Sequence, residues 1–222
     1  MSKLHKQIPL TDFPTYTEED MLRRASEFHE FIVSRRTVRD FSPKNVPIEV
    51  VKKCIEASAT SPSGANRQPW HFVVVSDPAI KKKIRDAAEK EEHHFYHGGV
   101  PDEWREAVHP LGTNECKPFL ETAPYLIVVF AERVSVDGKD QTKNYYVSES
   151  VGIATGMLIT ALHSCGLGTL THTPSPMRFL NQILKQPGHR RPFLILVTGY
   201  PSADATVPDL PKKSQSEITT FL

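Results

Sequence analysis

The stretch RRTVRDFS at residues 35–42, followed by SPSGANRQPWHF at residues 61–72, is the most informative part of this 222-residue chain. The first stretch places three guanidinium groups and a hydroxyl within five residues, and the planar, permanently charged guanidinium suits a phosphate. The second is a turn rich in Ser, Gly and Pro that offers several backbone N–H groups before a β-branched strand. Together they predict a site for a phosphate-bearing, ring-shaped cofactor, which would supply the chemistry.

Composition and charge exclude several classes of protein. The net charge is +1 at pH 7, with acidic and basic residues mixed along the chain, which argues against nucleic-acid binding. The three cysteines form no CxxC pattern and are far apart, so a disulfide framework is not expected. The N-terminus lacks a signal-peptide pattern, and the apolar runs are too short to span a bilayer. We therefore expect a soluble, cytoplasmic protein with no nucleic-acid or membrane partner.

Hydrophobic periodicity predicts helices and strands around the two stretches. Thr17 is expected to cap a helix whose apolar face, from Met21 to Phe31, is buried. The strongest predicted helix covers residues 145–164, and a strand buried on both faces covers residues 124–132. Two helices precede the first strand and no GxGxxG pattern follows that strand, which disfavours a Rossmann fold. A sheet with helices packed on both faces is the better prediction.

Residues 93–116 show no sustained hydrophobic period. A loop of this length in a compact chain is usually functional or disordered, so a mobile lid over a site and a solvated loop both stay open. His93, His94 and His97 lie at its start. No further ligand with zinc spacing follows them, so the sequence predicts no metal site.

The order and spacing of these motifs resemble the FMN-dependent nitroreductase superfamily over most of the chain. The resemblance rests on the arginine-rich stretch, the 61–72 turn and the GYP sequence at residues 199–201. From about residue 24 onward the chain resembles one family within that superfamily more specifically, the iodotyrosine deiodinase, or halotyrosine dehalogenase, family. That narrower match is carried by EEHHFY at 91–96, TNECK at 113–117 with LETAP at 120–124, and ATVPDL at 205–210. Asn66, Arg67 and Gln68 depart from it and are more typical of general nitroreductases.

The resemblance implies an α+β, FMN-dependent nitroreductase-like fold with a central mixed sheet and helices on both faces. Residues 1–222 would form a single domain with an N-terminal arm (1–16), an active-site lid (93–116) and a C-terminal extension (202–222). In that family FMN lies at the dimer interface. The resemblance therefore predicts a homodimer with exchanged terminal extensions.

The resemblance also assigns the cofactor contacts. The predicted FMN contacts come from the arginine-rich stretch, the turn, a strand end and the tail: Arg35, Arg36, Thr37, Arg39, Pro62, Ser63, Gly64, Thr173 and Lys212. Thr173 would have a catalytic role, because a hydroxyl that hydrogen-bonds flavin N5 favours one-electron steps. Without the resemblance, the arginines could form helix-end salt bridges, the turn could simply end a helix, and Thr173 could be an ordinary strand-end residue.

Substrate binding is assigned to the lid and the turn. Glu92 would bind the substrate ammonium, Lys117 its carboxylate, and Tyr96 would donate a hydrogen bond and cover a ring. The backbone N–H of Ala65 would have a catalytic role in binding the phenolate, since a halogenated phenol is more acidic than tyrosine and a fixed donor selects the ionised ring. Without the resemblance, the three lid residues are surface side chains of a charged loop.

The predicted activity is FMN-dependent reductive removal of halide from iodotyrosine or another halotyrosine, which releases halide and tyrosine. NAD(P)H or a partner reductase would supply the electrons. Two alternatives stay open. One is a general NAD(P)H-dependent nitro- or quinone reductase, and the other is a non-catalytic flavin- or ligand-binding protein.

Overall fold

The computed structural model describes residues 7–98, 102–137 and 140–222. The chain divides into two compact units, one ending at Arg35 and the other beginning at Arg36. Residues 1–6 of the predicted arm and 99–101 of the predicted lid lie outside the described residues. The single domain over residues 1–222 stays a prediction.

The first unit contains helix α1 (Glu18–Val33), which begins where the sequence predicts. Thr17 Oγ1 accepts a hydrogen bond from the Asp20 amide at 3.2 Å, and acidic residues fill the first turn. The predicted burial of its apolar face is wrong: no residue of α1 is buried, and Met21 and Leu22 are 58% and 72% exposed. Periodicity shows that a helix face is apolar, but it does not show what covers that face.

The second unit, from Arg36 onward, carries the other elements. Its helices within the described residues are α2 (Ile48–Ser58), α3 (Pro78–His97), α4 (Asp102–Val108), α5 (Phe119–Thr122), α6 (Val147–Ser164), α7 (Phe179–Ile183) and α8 (Gln215–Ile218). Its strands are β1 (Trp70–Val75), β2 (Tyr125–Glu132), β3 (Val134–Asp137), β4 (Asp140–Lys143), β5 (Gly168–His172) and β6 (Arg190–Gly199). Among the described helices, none is long and apolar enough to cross a membrane.

The central sheet has four strands in the order β1-β2-β6-β5, and each neighbouring pair is antiparallel. A bulge between Val129 and Phe130 interrupts the pairing of β2 with β6. β3 and β4 form a separate two-stranded sheet. Where the sequence predicts a mixed central sheet, the described strands form an antiparallel one, and parallel pairing is confined to an isolated bridge between Thr37 and Thr169 of β5.

Helices cover both faces of the central sheet, as predicted. Along β2, Leu126, Val128 and Phe130 pack with α3, α5 and α7 on one face, while the alternate residues pack with α2 and α6 on the other. Each residue from Leu126 to Phe130 has no exposed surface. Burial on both faces explains the unbroken apolar run LIVVF in this strand.

The predicted lid is more helical than the sequence indicates. α3 continues to His97 and α4 adds a second helix after it. The centroid of the Phe95 ring lies 5.3 Å from that of the Tyr96 ring and 6.0 Å from that of the Trp104 ring. These aromatic residues pack against one another, so their spacing does not follow the period of a helix that packs on the core.

The C-terminal extension, residues 202–222, contains α8 as its regular element. Ser214 and Glu217 form a capping box at its start. Residues 211–222 are exposed. The extension is therefore exposed from residue 211 onward, and its last regular element is a single capped helical turn.

Candidate active site

The turn at residues 61–68 is closed by its own hydrogen bonds. The Asn66 amide donates to the Ser63 carbonyl at 3.0 Å, and the Gln68 amide donates to Ser63 Oγ at 2.9 Å. Ala65, Asn66 and Gln68 have φ angles of 50°, 52° and 49°, a left-handed conformation that is uncommon for residues with a side chain. No described residue accepts a hydrogen bond from the Ala65 amide. The turn therefore presents this amide as a fixed donor for an anionic ligand.

Gly64 places the turn against the start of α6. Its amide donates to Ser150 Oγ at 3.3 Å, and the Ser150 hydroxyl donates to the Tyr146 carbonyl at 2.6 Å. A Cβ at position 64 would lie 2.9 Å from the Tyr145 carbonyl oxygen and from Tyr146 Cδ2. Glycine is required here because any side chain would push the turn away from α6. Pro62 beside it is exposed and Ser63 half-buried.

The three residues predicted to bind the amino-acid end of the substrate, which we call the clamp, come together in the structure. Lys117 Nζ lies 3.1 Å from Glu92 Oε2 and 5.8 Å from the centre of the Tyr96 ring. Glu92 and Tyr96 lie one turn apart on α3, and Lys117 precedes α5. The Lys117 side chain is 3% exposed and that of Glu92 15% exposed. The clamp is thus a nearly buried ion pair beneath an aromatic ring.

Further polar contacts hold the Lys117 ammonium in place. Its Nζ donates to Thr113 Oγ1 at 3.1 Å and to the Asn114 carbonyl. Burial raises the pKa of Tyr96, which keeps its hydroxyl protonated and able to donate a hydrogen bond. The clamp therefore contains an anion, a cation and a neutral donor, which together match a zwitterion.

A salt-bridge network that the sequence analysis missed anchors the backbone of Lys117. The Lys117 amide donates to Glu89 Oε1 at 2.6 Å, and the same oxygen lies 2.7 Å from Arg85 Nε. Arg85 Nη1 also lies 3.1 Å from Glu121 Oε1. The i, i+4 spacing of Arg85 and Glu89 predicts an ion pair on one face of a helix. Nothing in the sequence shows that this pair reaches Lys117.

His172 is a second residue that the sequence analysis missed. It ends β5, is 7% exposed, and its Nε2 atom is buried without a hydrogen-bond partner. Its ring meets the Phe119 ring edge-on at 5.5 Å. Burial, followed by the positive charges of Lys117 and Arg39, lowers the pKa of His172 to about 3, so the imidazole is neutral at pH 7. Side chains alternate between the two faces of β5, so His172 lies on the same face as Leu170. The sequence therefore gives no sign that this histidine is more than an ordinary core residue.

The predicted cofactor contacts are brought together less completely than the clamp. Arg36 donates to the Pro208 carbonyl, which ties the arginine-rich stretch to the C-terminal extension. Thr37 bridges to Thr169 of β5, and Arg39 lines a cavity of about 390 Å³.

The remaining cofactor contacts are more scattered. Thr173 follows β5 and is exposed, as is Lys212 in the tail. Arg35 is half-buried at the end of the first unit. Among the described residues, Lys212 forms no hydrogen bond or salt bridge with the other predicted FMN contacts.

Comparison with known proteins identifies the class. The model of the nitroreductase family matches residues 32–200, a range that includes the turn, the clamp and β5. The chain belongs to the nitroreductase family, which confirms the resemblance and the α+β fold predicted from the motifs.

Two relatives and one crystal structure show which members of the family the chain resembles. The chain is 53% identical over 205 residues to an iodotyrosine deiodinase of Haliscomenobacter hydrossis, covering 91% of this chain and 92% of that one. It is 42% identical over 207 residues to iodotyrosine deiodinase 1 of Mus musculus, covering 91% and 72%. A crystal structure of oxidized iodotyrosine deiodinase bound to FMN and 3-iodo-L-tyrosine superposes with a TM-score of 0.76 at 32% identity, over 87% of this chain and 99% of that one.

Proposed function

We propose that the protein is a flavin-dependent enzyme that removes halide reductively from a halotyrosine, with iodotyrosine as the first substrate to test. The observation that carries the proposal is the nearly buried Lys117–Glu92 pair beneath Tyr96. The relatives at 53% and 42% identity are iodotyrosine deiodinases, and the similar crystal structure contains FMN and 3-iodo-L-tyrosine, which supports the same conclusion.

The clamp selects a zwitterion through the cost of unpaired buried charge. In the free protein, Lys117 and Glu92 neutralise each other. A bound amino acid replaces this pair with two new ones, its carboxylate on Lys117 and its ammonium on Glu92. A phenol without the amino-acid group either leaves this pair intact and gains no contact with it, or separates the two buried charges and leaves them without partners, which is costly.

The donor set fits FMN. Arg36 and Arg39 offer guanidinium groups and Thr37 a hydroxyl, which suit the phosphate, the ribityl chain and the pyrimidine edge, and the free Ala65 amide lies in a turn that a flavin could run beside. Arg35, Pro62, Ser63, Gly64 and Lys212 complete the proposed contacts. When bound, FMN supplies the electrons for the reduction.

The remaining roles fall to residues of this chain. The overall step breaks the carbon–halogen bond and forms a carbon–hydrogen bond, with two electrons and one proton consumed and halide released. The Ala65 amide would bind the phenolate oxygen, and the Thr173 hydroxyl would donate a hydrogen bond to the bound cofactor. Glu92, Tyr96 and Lys117 orient the substrate and exclude water. NAD(P)H or a partner reductase would supply the electrons that reduce FMN.

The proposed active form is a homodimer with exchanged terminal extensions. α1 exposes Met21 and Leu22. On α6, Ile153 and Met157 are 47% and 37% exposed, and a Cβ added to the nearby Gly156 would meet nothing within 4 Å. Apolar surface of this kind on separate helices suits burial against a second chain. The cytoplasmic location stays a prediction from the sequence.

The affinities for iodotyrosine and iodophenol test the proposal. Titration followed by the visible spectrum of the bound flavin is expected to show iodotyrosine binding about 100-fold or more tightly, because the site's buried charges are matched only by the amino acid. Equal affinities would favour a general nitro- or quinone reductase. Anaerobic mixing of the reduced protein with iodotyrosine is expected to oxidise the flavin and release iodide. A flavin that stays reduced would indicate a binding protein without turnover.

A further inference from the structure

Three side chains of metal-ligand type converge beside the clamp, on the end of α3 and the segment that precedes Lys117. His93 Nδ1 lies 2.8 Å and His97 Nε2 3.2 Å from the same Glu115 oxygen, Oε2. The two imidazole centroids are 4.3 Å apart. The three ligand atoms all lie within 4.8 Å of one another. We call this group the His93–His97–Glu115 triad.

The donor set and its spacing are those of a transition-metal site. Two histidines at i and i+4 share one face of a helix, and a carboxylate from another segment completes a His₂Glu set, which binds Zn²⁺ with a fourth position left for water. Ligands about 2 Å from one ion lie roughly 3–4 Å apart, close to the separations already present. The sequence analysis found no third ligand because Glu115 follows α4 and becomes a neighbour of His93 and His97 only in the fold.

Stability alone does not account for the arrangement. The side chains of His93, His97 and Glu115 are 62%, 59% and 40% exposed. Hydrogen bonds and ion pairs between side chains this exposed contribute about 0–1 kcal/mol. Two such contacts, from His93 and His97, converge on one Glu115 oxygen, and a shared ligand explains this convergence better than stability does.

We propose that His93, His97 and Glu115 bind a divalent transition-metal ion such as Zn²⁺, and that the ion fixes the clamp. His93 follows Glu92, His97 follows Tyr96, and Glu115 lies two residues before Lys117. An ion held by the triad therefore ties the part of α3 that carries Glu92 and Tyr96 to the segment that carries Lys117. Metal binding itself is independent of the proposed function, whereas its effect on substrate rests on that function.

The first experiment measures the metal alone. The full-length FMN-loaded protein is stripped with a chelator, and its affinity for Zn²⁺ is measured by competition with a chromophoric chelator. One Zn²⁺ per chain is expected. His97→Gln and Glu115→Gln are each expected to weaken binding by about tenfold or more, since losing a direct ligand costs at least as much as losing an outer partner.

The matched control is His94→Gln, because His94 is an exposed histidine on the same turn but lies outside the triad. It is expected to leave Zn²⁺ affinity unchanged. Thermal unfolding and FMN content check that each variant folds, which the exposure of all the altered side chains favours. No Zn²⁺ uptake, or an equal loss in His94→Gln and His97→Gln, would overturn the site.

The second experiment measures the coupling to substrate. Saturating Zn²⁺ is expected to tighten iodotyrosine binding by about fivefold or more in the unaltered protein and to have no effect in Glu115→Gln. Because coupling is reciprocal, iodotyrosine must tighten Zn²⁺ binding by the same factor. Zn²⁺ binding at the triad without this coupling would overturn the fixing of the clamp. Zn²⁺ binding at the triad in a protein that does not bind iodotyrosine would instead count against the proposed function and leave the metal site standing.

Discussion

The clamp and the predicted cofactor contacts belong to one proposed site, yet the fold of a single chain assembles them to different degrees. Glu92, Tyr96 and Lys117 already contact one another around a nearly buried ammonium. The cofactor contacts remain distributed, with Arg36 tied to the tail and Lys212 exposed. One chain thus assembles the proposed clamp by itself, whereas its proposed cofactor contacts stay apart, which agrees with the proposed site at a dimer interface.

The largest expected effect is that of a substitution at Lys117, which should impair the clamp and leave the cofactor contacts unchanged. Lys117→Ala leaves the substrate carboxylate buried without a cation, which costs about 3–5 kcal/mol and corresponds to a rise in the iodotyrosine Kd of about 10²–10⁴-fold. FMN content, measured by absorbance of the purified protein, is expected to be unchanged. Lys90→Ala is the matched control, since Lys90 is exposed on α3. Loss of FMN from Lys117→Ala would show that the two regions are not separable.

Gly64→Ala is expected to displace the turn at residues 61–68, which belongs to the proposed cofactor contacts. The added Cβ would lie 2.9 Å from the Tyr145 carbonyl oxygen and from the Tyr146 ring, so the turn must move. Overpacking of this kind costs about 2–3 kcal/mol of unfolding free energy, and the displaced turn should also weaken FMN binding. Urea unfolding and FMN titration measure the two effects. Gly188→Ala is the control, because a Cβ there meets nothing within 4 Å. Similar results for both variants would show that Gly64 does not position the turn.

His172 joins the two regions, because Lys117 and Arg39 both act on its charge. Its pKa is about 3 in the folded protein and about 6.5 in an unfolded chain, so between these values the unfolded state binds more protons. Stability from this group is full above pH 6.5 and falls as the pH is lowered toward 3, by about 2 kcal/mol at pH 5.

His172→Leu should remove that part of the pH dependence. The free energy of unfolding, measured by urea titration at pH 5 and pH 7.5, checks it. His29→Asn, an exposed histidine on α1, is the control. A pH dependence unchanged by His172→Leu would show that the imidazole is not held neutral.

The smallest expected effect concerns the support beneath the clamp. Glu89→Gln keeps an acceptor for the Lys117 amide but removes the charge that pairs with Arg85. Partly exposed pairs of this kind are worth about 1 kcal/mol or less, so the iodotyrosine Kd should rise about threefold to fivefold with FMN content unchanged. Asp86→Asn, which removes an exposed pair with Lys82 on the same helix, should change neither quantity. An effect of Glu89→Gln on FMN alone would assign Glu89 to the other region.

Local signals in the sequence predicted local structure well. Thr17 and the acids after it located the start of α1, and the unbroken apolar run LIVVF identified a strand buried on both faces. The turn at residues 61–68 was recognisable from its Ser, Gly and Pro residues. Its left-handed conformation at Ala65 was not, because alanine carries no signal for a positive φ.

Long-range features could not be predicted from the pattern of residues. Lys117 was assigned to the clamp through the family resemblance, since no spacing rule connects it to Glu92. The contacts of Glu89 with Lys117, and of Glu115 with His93, depend on how the chain returns to α3 after α4. The burial predicted for the apolar face of α1 failed for the same reason: a pattern along one helix contains no information about its partner.

The position of the clamp has a consequence for turnover. In the proposed function the clamp binds the amino-acid group, which the reaction leaves unchanged, so tyrosine would fit it as well as the halogenated substrate. The difference in affinity between the halogenated substrate and tyrosine must then come from the phenol. Tyrosine has an ordinary pKa of about 10 and is neutral at pH 7, whereas the Ala65 amide favours an ionised oxygen. In this proposal, departure of the product is therefore governed by the Ala65 amide, a single backbone donor at the opposite end of the ligand.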